Sequence, residues 1–283
     1  MSVIFAMICG MIQGAAEFLP ISSSGHLALF EGIFCRKGAG DLLAFNVALH
    51  LGTLGAVLIV YGREIFPLIP AFFKAAGKAA RGRLKFAECS ADERMALAVF
   101  LGTLPMGAAK LFDDRVGALS SYVWAVGVIL MINAAALWFS DRLPRGALNG
   151  DGIGPRDALT VGAAQCLAVL PGLSRSGTSI AAGLYRGFDR SFAVRYSFIL
   201  SVPAILGAAI FEIPDALREG IPASDVPAYA AGAVTAFLCG ICAIRALTRL
   251  SRERGFRGFA YYSAAAGAAA LILGATGVKF PIF

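Results

Sequence analysis

The sequence predicts an all-α polytopic membrane protein built from two inverted-topology repeats, each a re-entrant helix hairpin followed by three transmembrane helices. Three observations predict it. Apolar residues make up 58% of the 283 residues and charged residues only 15%, well below the charged quarter of ordinary soluble domains. The apolar residues also run in continuous stretches rich in Ala, Leu and Gly instead of alternating, which selects helices over a β-barrel as the spanning element. Finally, the chain matches itself at an offset of 152 residues, the mark of an internal duplication. This composition excludes a soluble globule, a disordered chain, a secreted disulfide scaffold and a collagen-like fibre.

Region 3–34 starts apolar, breaks at Pro20 beside a Ser/Gly cluster, and resumes for only a short run. Each half is too short to cross a hydrocarbon core of roughly 30 Å, so a re-entrant hairpin with a protein-covered tip is expected. No charged segment precedes the first apolar run, which argues against a cleavable signal peptide. Crossings follow at 42–61, 95–111 and 119–139. Between the first two, Phe66 to Ala80 carries Lys74 and Lys78 among apolar residues and reads as a surface-lying helix. A second hairpin, 158–185, breaks at Pro171, and crossings at 193–211, 227–247 and 259–277 complete the chain. The whole is one membrane domain, with repeats at 1–139 and 158–277.

In the repeat register Gly10-Met11-Ile12-Gln13 lies on Gly162-Ala163-Ala164-Gln165, Ile21-Ser22-Ser23-Ser24-Gly25 on Leu173-Ser174-Arg175-Ser176-Gly177, and Leu54-Gly55-Ala56 on Leu206-Gly207-Ala208. An odd number of crossings per unit inverts the second unit relative to the first. The net charge of +7 resides in short segments between apolar runs rather than on a soluble basic face, so lipid headgroups and topology are the expected partners, not nucleic acid. Connections 62–94, 140–157 and 248–258 hold seven, three and four Lys/Arg, against one each in 112–118 and 212–226. That asymmetry places the first three in the cytoplasm and both termini outside. The two tips then approach the midplane from opposite sides. The six cysteines are scattered, and free thiols are expected; Cys239 and Cys242 match C-x-x-C but lie mid-span, as small apolar filler.

On the first tip Gln13 and Glu17 are four residues apart on one helix face with Gly10 and Gly14. A carboxylate at depth costs about 2.5–3.5 kcal/mol on insertion scales, which favours a functional role. Ser22, Ser23 and Ser24 follow Pro20 at the start of the second half-helix, where capping is the plainest role, and His26 comes next. The second tip carries Ser174, Arg175, Ser176 and Thr178. Small residues ahead of a helix, with a guanidinium among them, suit a phosphate. One tip thus offers an anion-binding group and the other proton-transfer groups.

The runs Glu17-Phe18-Leu19-Pro20-Ile21-Ser22-Ser23-Ser24-Gly25-His26 and Pro171-Gly172-Leu173-Ser174-Arg175-Ser176-Gly177 resemble the two signatures of the undecaprenyl-diphosphate phosphatases associated with bacitracin resistance. The resemblance runs from the N-terminus to about residue 275. It implies a multi-pass enzyme of the bacterial inner membrane that releases the terminal phosphate of undecaprenyl diphosphate, recycling the lipid carrier of wall polymers. It also implies a divalent cation, Mg²⁺ or Ca²⁺, held in part by Glu17. By position, Glu17, Ser23, His26 and Arg175 match the catalytic residues, with Gln13, Ser22, Ser24, Ser174, Ser176 and Thr178 lining the substrate. Two departures stand out: Gln13 replaces a frequent Glu, and Ser263 follows Tyr261-Tyr262 where Arg is common. The expected partners are the polyprenyl diphosphate and membrane lipids, with a homodimer among the oligomeric states the sequence leaves open. Inverted repeats with broken helices also suit a polyprenyl-phosphate transporter or flippase, the alternative reading. In the enzyme, Ser23 attacks phosphorus or positions water, Glu17 and His26 handle protons, and Arg175 offsets charge.

The charge asymmetry generates a labelling prediction. With native thiols removed, cysteine at Gly220 should react with an impermeant thiol reagent in intact spheroplasts, and cysteine at Lys85 should not. The reverse pattern refutes the orientation.

Overall fold

The computed structural model describes residues 1–34, 42–112, 116, 119, 122–220 and 222–276. Among these residues the regular structure is helical, with a single isolated bridge between Leu148 and Phe188 and no strand. The first hairpin is α1 (Val3–Phe18) and α2 (Ser23–Phe34), followed by α3 (Leu43–Ala80), α4 (Ala91–Thr103), a 3₁₀ segment (Leu104–Phe112) and α5 (Val123–Ser140). The second is α6 (Pro155–Leu167) and α7 (Arg175–Tyr185), followed by α8 (Arg190–Glu219), α9 (Val226–Glu253) and α10 (Arg257–Ala275). Both hairpins fall where the Pro/Ser/Gly breaks predict them. Their halves contain 11 to 16 residues, so none rises more than ~24 Å at 1.5 Å per residue.

Local chemistry sets the ends of these helices. Ser174 caps α7 by accepting from the Gly177 N–H at 3.1 Å. Asp189 caps α8 through the Ser191 and Phe192 N–H groups. Ser90 and Glu93 form a reciprocal capping box on α4, satisfying donors that the first turn leaves open.

Among the described residues five helices are long and apolar enough to cross a membrane: α3, α5, α8 up to Pro214, α9 and α10. The structure corrects the expectation of a sixth at 95–111. That window is divided between the 13-residue α4 and the 3₁₀ segment. Pro105 lacks the N–H that would bond the Leu101 carbonyl, and its ring crowds that carbonyl, so the α-helical pattern stops just before it. A second correction concerns 66–80, which is the end of the 38-residue α3 rather than a separate surface helix. Ile65, Leu68, Ala71 and Ala75 continue its buried stripe at helical spacing, while Pro67 and Pro70 lie on the exposed face. Beyond them, Lys74 and Lys78 reach Glu93 at 3.3 and 2.7 Å and tie the end of α3 to the start of α4.

Helix pairing relies on small residues, as expected where lipid supplies no hydrophobic drive between helices. Helix α1 packs along α9, α6 against α4 and its 3₁₀ continuation, and α5 along α10. A Cβ on Gly10 would overlap the Gly232 carbonyl oxygen, and one on Gly162 would overlap that of Gly102. Gly10 and Gly162 occupy the same position in the 152-residue register, so both halves use one packing device. Gly127 and Gly267 make the reciprocal approach between α5 and α10. Asp141 then gathers Arg190 at 2.9 Å and Arg257 at 3.6 Å, joining the ends of three helices. The five cysteines in the described residues are free thiols; Cys35 lies outside those residues.

Gly162→Ala should therefore lower the melting temperature in detergent by several degrees, reflecting about 1–3 kcal/mol of overpacking. Gly77→Ala, where the added carbon meets nothing within 4 Å, should leave it level or raise it slightly. Equal behaviour of the two variants would refute the role assigned to the small-residue contact.

Candidate active site

The two tips meet. Gly25 lies against Gly172, and Gly177 lies against Pro20 and Asn133. Backbone geometry turns each tip: Ser22 has φ +74° and Gly172 φ +100°. The serine thus adopts a left-handed conformation that costs a residue with a Cβ about 1–2 kcal/mol.

Asn133, on α5 and almost fully buried, holds the two tips in register. Its Nδ2 donates to the Pro20 carbonyl at 3.0 Å and to Ser263 Oγ at 3.2 Å, while its Oδ1 accepts from the Ser174 N–H at 3.3 Å. One amide therefore joins the first tip, the second tip and α10. Ser176 Oγ adds a bond to the Leu19 carbonyl at 3.2 Å.

Glu17 and Arg175, one from each tip, form an ion pair through Oε1 and Nη2. Glu17 Oε2 accepts from Ser23 Oγ at 2.8 Å and from Gln13 Nε2 at 3.0 Å. Arg175 Nη1 is buried and has no protein partner, as is Gln13 Oε1. Beside this cluster lies a cavity of about 190 Å³ whose polar lining comprises Glu17, Ser23, Ser24, His50, Ser174, Arg175 and Glu212. Val47, Met106 and Ile205 are among its apolar lining residues.

Of the residues expected from sequence, Glu17, Ser23, Ser24, Ser174 and Arg175 line this cavity, and Gln13 supports Glu17 from behind. The others do not reach it. His26 Nδ1 bonds its own helix at the Ser22 carbonyl, 2.7 Å away, and Nε2 bonds Tyr262 Oη at 2.8 Å, with the two rings stacked 5.5 Å apart. Ser22 Oγ accepts from the Gly25 N–H, and Thr178 Oγ1 bonds the Ser174 carbonyl, so both serve the tips themselves. His50 and Asn133 are the residues that sequence reasoning missed. Asn133 is an isolated polar group in an apolar span, and His50 shares a helix face with Asn46 and Thr53 there; polar groups at that depth were the available signal.

A serine hydroxyl held on a carboxylate, beside a guanidinium with a spare donor, can bring a nucleophile, a proton acceptor and an anion-binding group to one phosphorus atom. Comparison with known proteins agrees with the sequence signatures. The family model described as bacitracin resistance protein BacA matches residues 6–269. A protein named undecaprenyl-diphosphatase from Thermomicrobium roseum is 40% identical over 84% of this chain and 87% of its own. Proteins of the same name from Mycobacterium sp. strain KMS and Methanosphaera stadtmanae are each 35% identical, over 98% and 96% of this chain and 99% and 98% of theirs. Matched along nearly its full length, with both signature tips assembled around one ion pair, the chain belongs to the BacA bacitracin resistance family.

Proposed function

We propose that the protein hydrolyses undecaprenyl diphosphate to undecaprenyl phosphate and inorganic phosphate, returning the lipid carrier to wall-polymer synthesis. The observation that carries this reading is the hydrogen bond from Ser23 Oγ to Glu17 Oε2 at 2.8 Å, on the wall of a cavity that Arg175 also lines. Ser23 Oγ attacks the terminal phosphorus and Glu17 takes its proton. The bond from that phosphorus to the bridging oxygen breaks, and undecaprenyl phosphate leaves with the electron pair. Water then attacks the seryl phosphate, Glu17 returns its proton to the seryl oxygen, and inorganic phosphate departs. Arg175 Nη1 donates to the oxygens that accumulate charge. At about 190 Å³ the cavity accommodates the diphosphate rather than the whole lipid. The transporter reading is not favoured, since the relatives compared are named as diphosphatases.

A divalent cation fits this donor set in one way. Among the described residues no three His, Cys, Asp or Glu side chains cluster as a ligand group. Glu17 supplies a carboxylate on the cavity wall, and Mg²⁺ binds well through one or two protein oxygens plus substrate phosphates. Bound there, the ion would neutralise charge on the diphosphate. For the fold, we propose that the two halves are inverted repeats, with α4 and its 3₁₀ continuation matching α9. The reciprocal Gly10 and Gly162 contacts support that correspondence. We further place the protein in the bacterial inner membrane with both termini on the periplasmic side, as the Lys/Arg distribution favours.

Purified protein in detergent, with no bilayer present, should release inorganic phosphate from a polyprenyl diphosphate, and chelator should suppress the release. No release with or without added Mg²⁺ or Ca²⁺ would refute hydrolysis. Within that assay Arg175→Lys, which keeps the charge but loses the planar fork, should lower turnover by about tenfold or more.

Ser23→Ala should abolish turnover, and rapid quenching with substrate labelled in the terminal phosphate should trap label on Ser23. An active Ser23→Ala enzyme, with Glu17→Gln the deeper lesion and no trapped label, would mean that Glu17 activates water instead.

A further inference from the structure

The chain contains two histidines, and the one outside both signatures is the one at the cavity. His50 stands on α3 with its side chain 39% exposed. Its side-chain hydrogen bond is made by Nδ1 with Gln13 Nε2, at 2.9 Å. Glu17 determines where the protons lie. A carboxylate only accepts, so the Gln13 amide must turn its NH₂ towards Glu17 Oε2. The second hydrogen of that NH₂ is then directed at His50 Nδ1, which must accept it. The ring proton therefore sits on Nε2, and among the described residues Nε2 has no partner. A Glu at position 13 would accept from Nδ1–H instead and impose the other arrangement.

We propose that His50 is a substrate-contacting residue, its neutral ring donating Nε2–H to a phosphate oxygen of the lipid diphosphate, and that Gln13 is the positioning residue that fixes this tautomer. The proposal rests on the diphosphatase reading. It assigns Gln13 a purpose that a second carboxylate could not serve. It also gives the diphosphate a donor from α3, an element separate from the hairpin tips that contribute Ser23 and Arg175. His26 cannot substitute, because both of its ring nitrogens are committed to Ser22 and Tyr262.

The test uses the full-length protein in detergent. His50→Ala should lower kcat/KM for phosphate release by about tenfold to hundredfold, the effect of one hydrogen bond to a charged group. His50→Gln, whose amide can donate from a similar position, should recover most of that loss. In protein labelled with ¹⁵N-histidine, the His50 Nε2 resonance should report a protonated nitrogen and should move on adding inorganic pyrophosphate, while the His26 resonances stay in place. Wild-type kcat/KM in His50→Ala, or a His50 Nε2 resonance unmoved by saturating pyrophosphate, overturns the proposal. If His50→Ala does not fold, His50→Gln and the spectra of the wild-type protein decide the question. An inactive wild-type protein would instead implicate the diphosphatase reading, which separates the two failures.

Discussion

A carboxylate within a bilayer must find a cation or pay several kcal/mol, and much else in this protein serves that pairing. Glu17 is on one hairpin and Arg175 on the other, so the pair exists only if two half-helices meet tip to tip. Non-helical backbone at the tips must in turn be covered by protein. Asn133, the Gly25–Gly172 approach and the bond from Ser176 to Leu19 supply that cover. The surrounding helices bring α5 and the hairpins close enough through glycine contacts. Ser23 and Gln13 then complete the coordination of Glu17, and the same bonds that satisfy the buried charge aim a hydroxyl into the cavity.

The helical architecture was largely legible in the sequence, because a bilayer converts apolar length directly into structure. Both hairpins could be read from Pro20 and Pro171 flanked by small residues. The errors have a common origin: hydropathy counts side chains and not backbone hydrogen bonds. Window 95–111 is apolar enough to cross, yet Pro105 interrupts its α-helix. Residues 66–80 carry Lys74 and Lys78 among apolar residues, which reads as a helix lying on the membrane surface, and Pro67 and Pro70 fall within the same stretch. Those prolines face outward, however, and the buried stripe from Ile65 to Ala75 carries the helix through.

The site was legible where chemistry and chain proximity coincide. Glu17, Ser23 and Arg175 lie on the tips, and the tips meet. His26 shows the limit of proximity: it follows Ser23 by three residues, but its ring folds back to the carbonyl one turn earlier and is closed off by Tyr262. His50 shows the converse. It reaches Gln13 across a helix interface that no local pattern encodes, and a single histidine in an apolar span usually indicates packing. Asn133 escaped for the same reason, its partners being two backbone groups and a hydroxyl remote in sequence.

The Asn133 contacts also tie the side chain at position 133 to the one at position 263. The side chain donates to Pro20 and accepts from Ser174 at the same moment, because its amide carries a donor and an acceptor on separate atoms of one small planar group. Asp could not donate, Leu could do neither, and Gln would have to fit an extra methylene into a filled interface. The same amide needs an acceptor from α10, which Ser263 provides. An arginine at 263 would only donate and would face the Asn133 NH₂. Positions 133 and 263 are therefore coupled through one hydrogen bond: a side chain at 263 that cannot accept leaves an Asn133 hydrogen without its α10 partner.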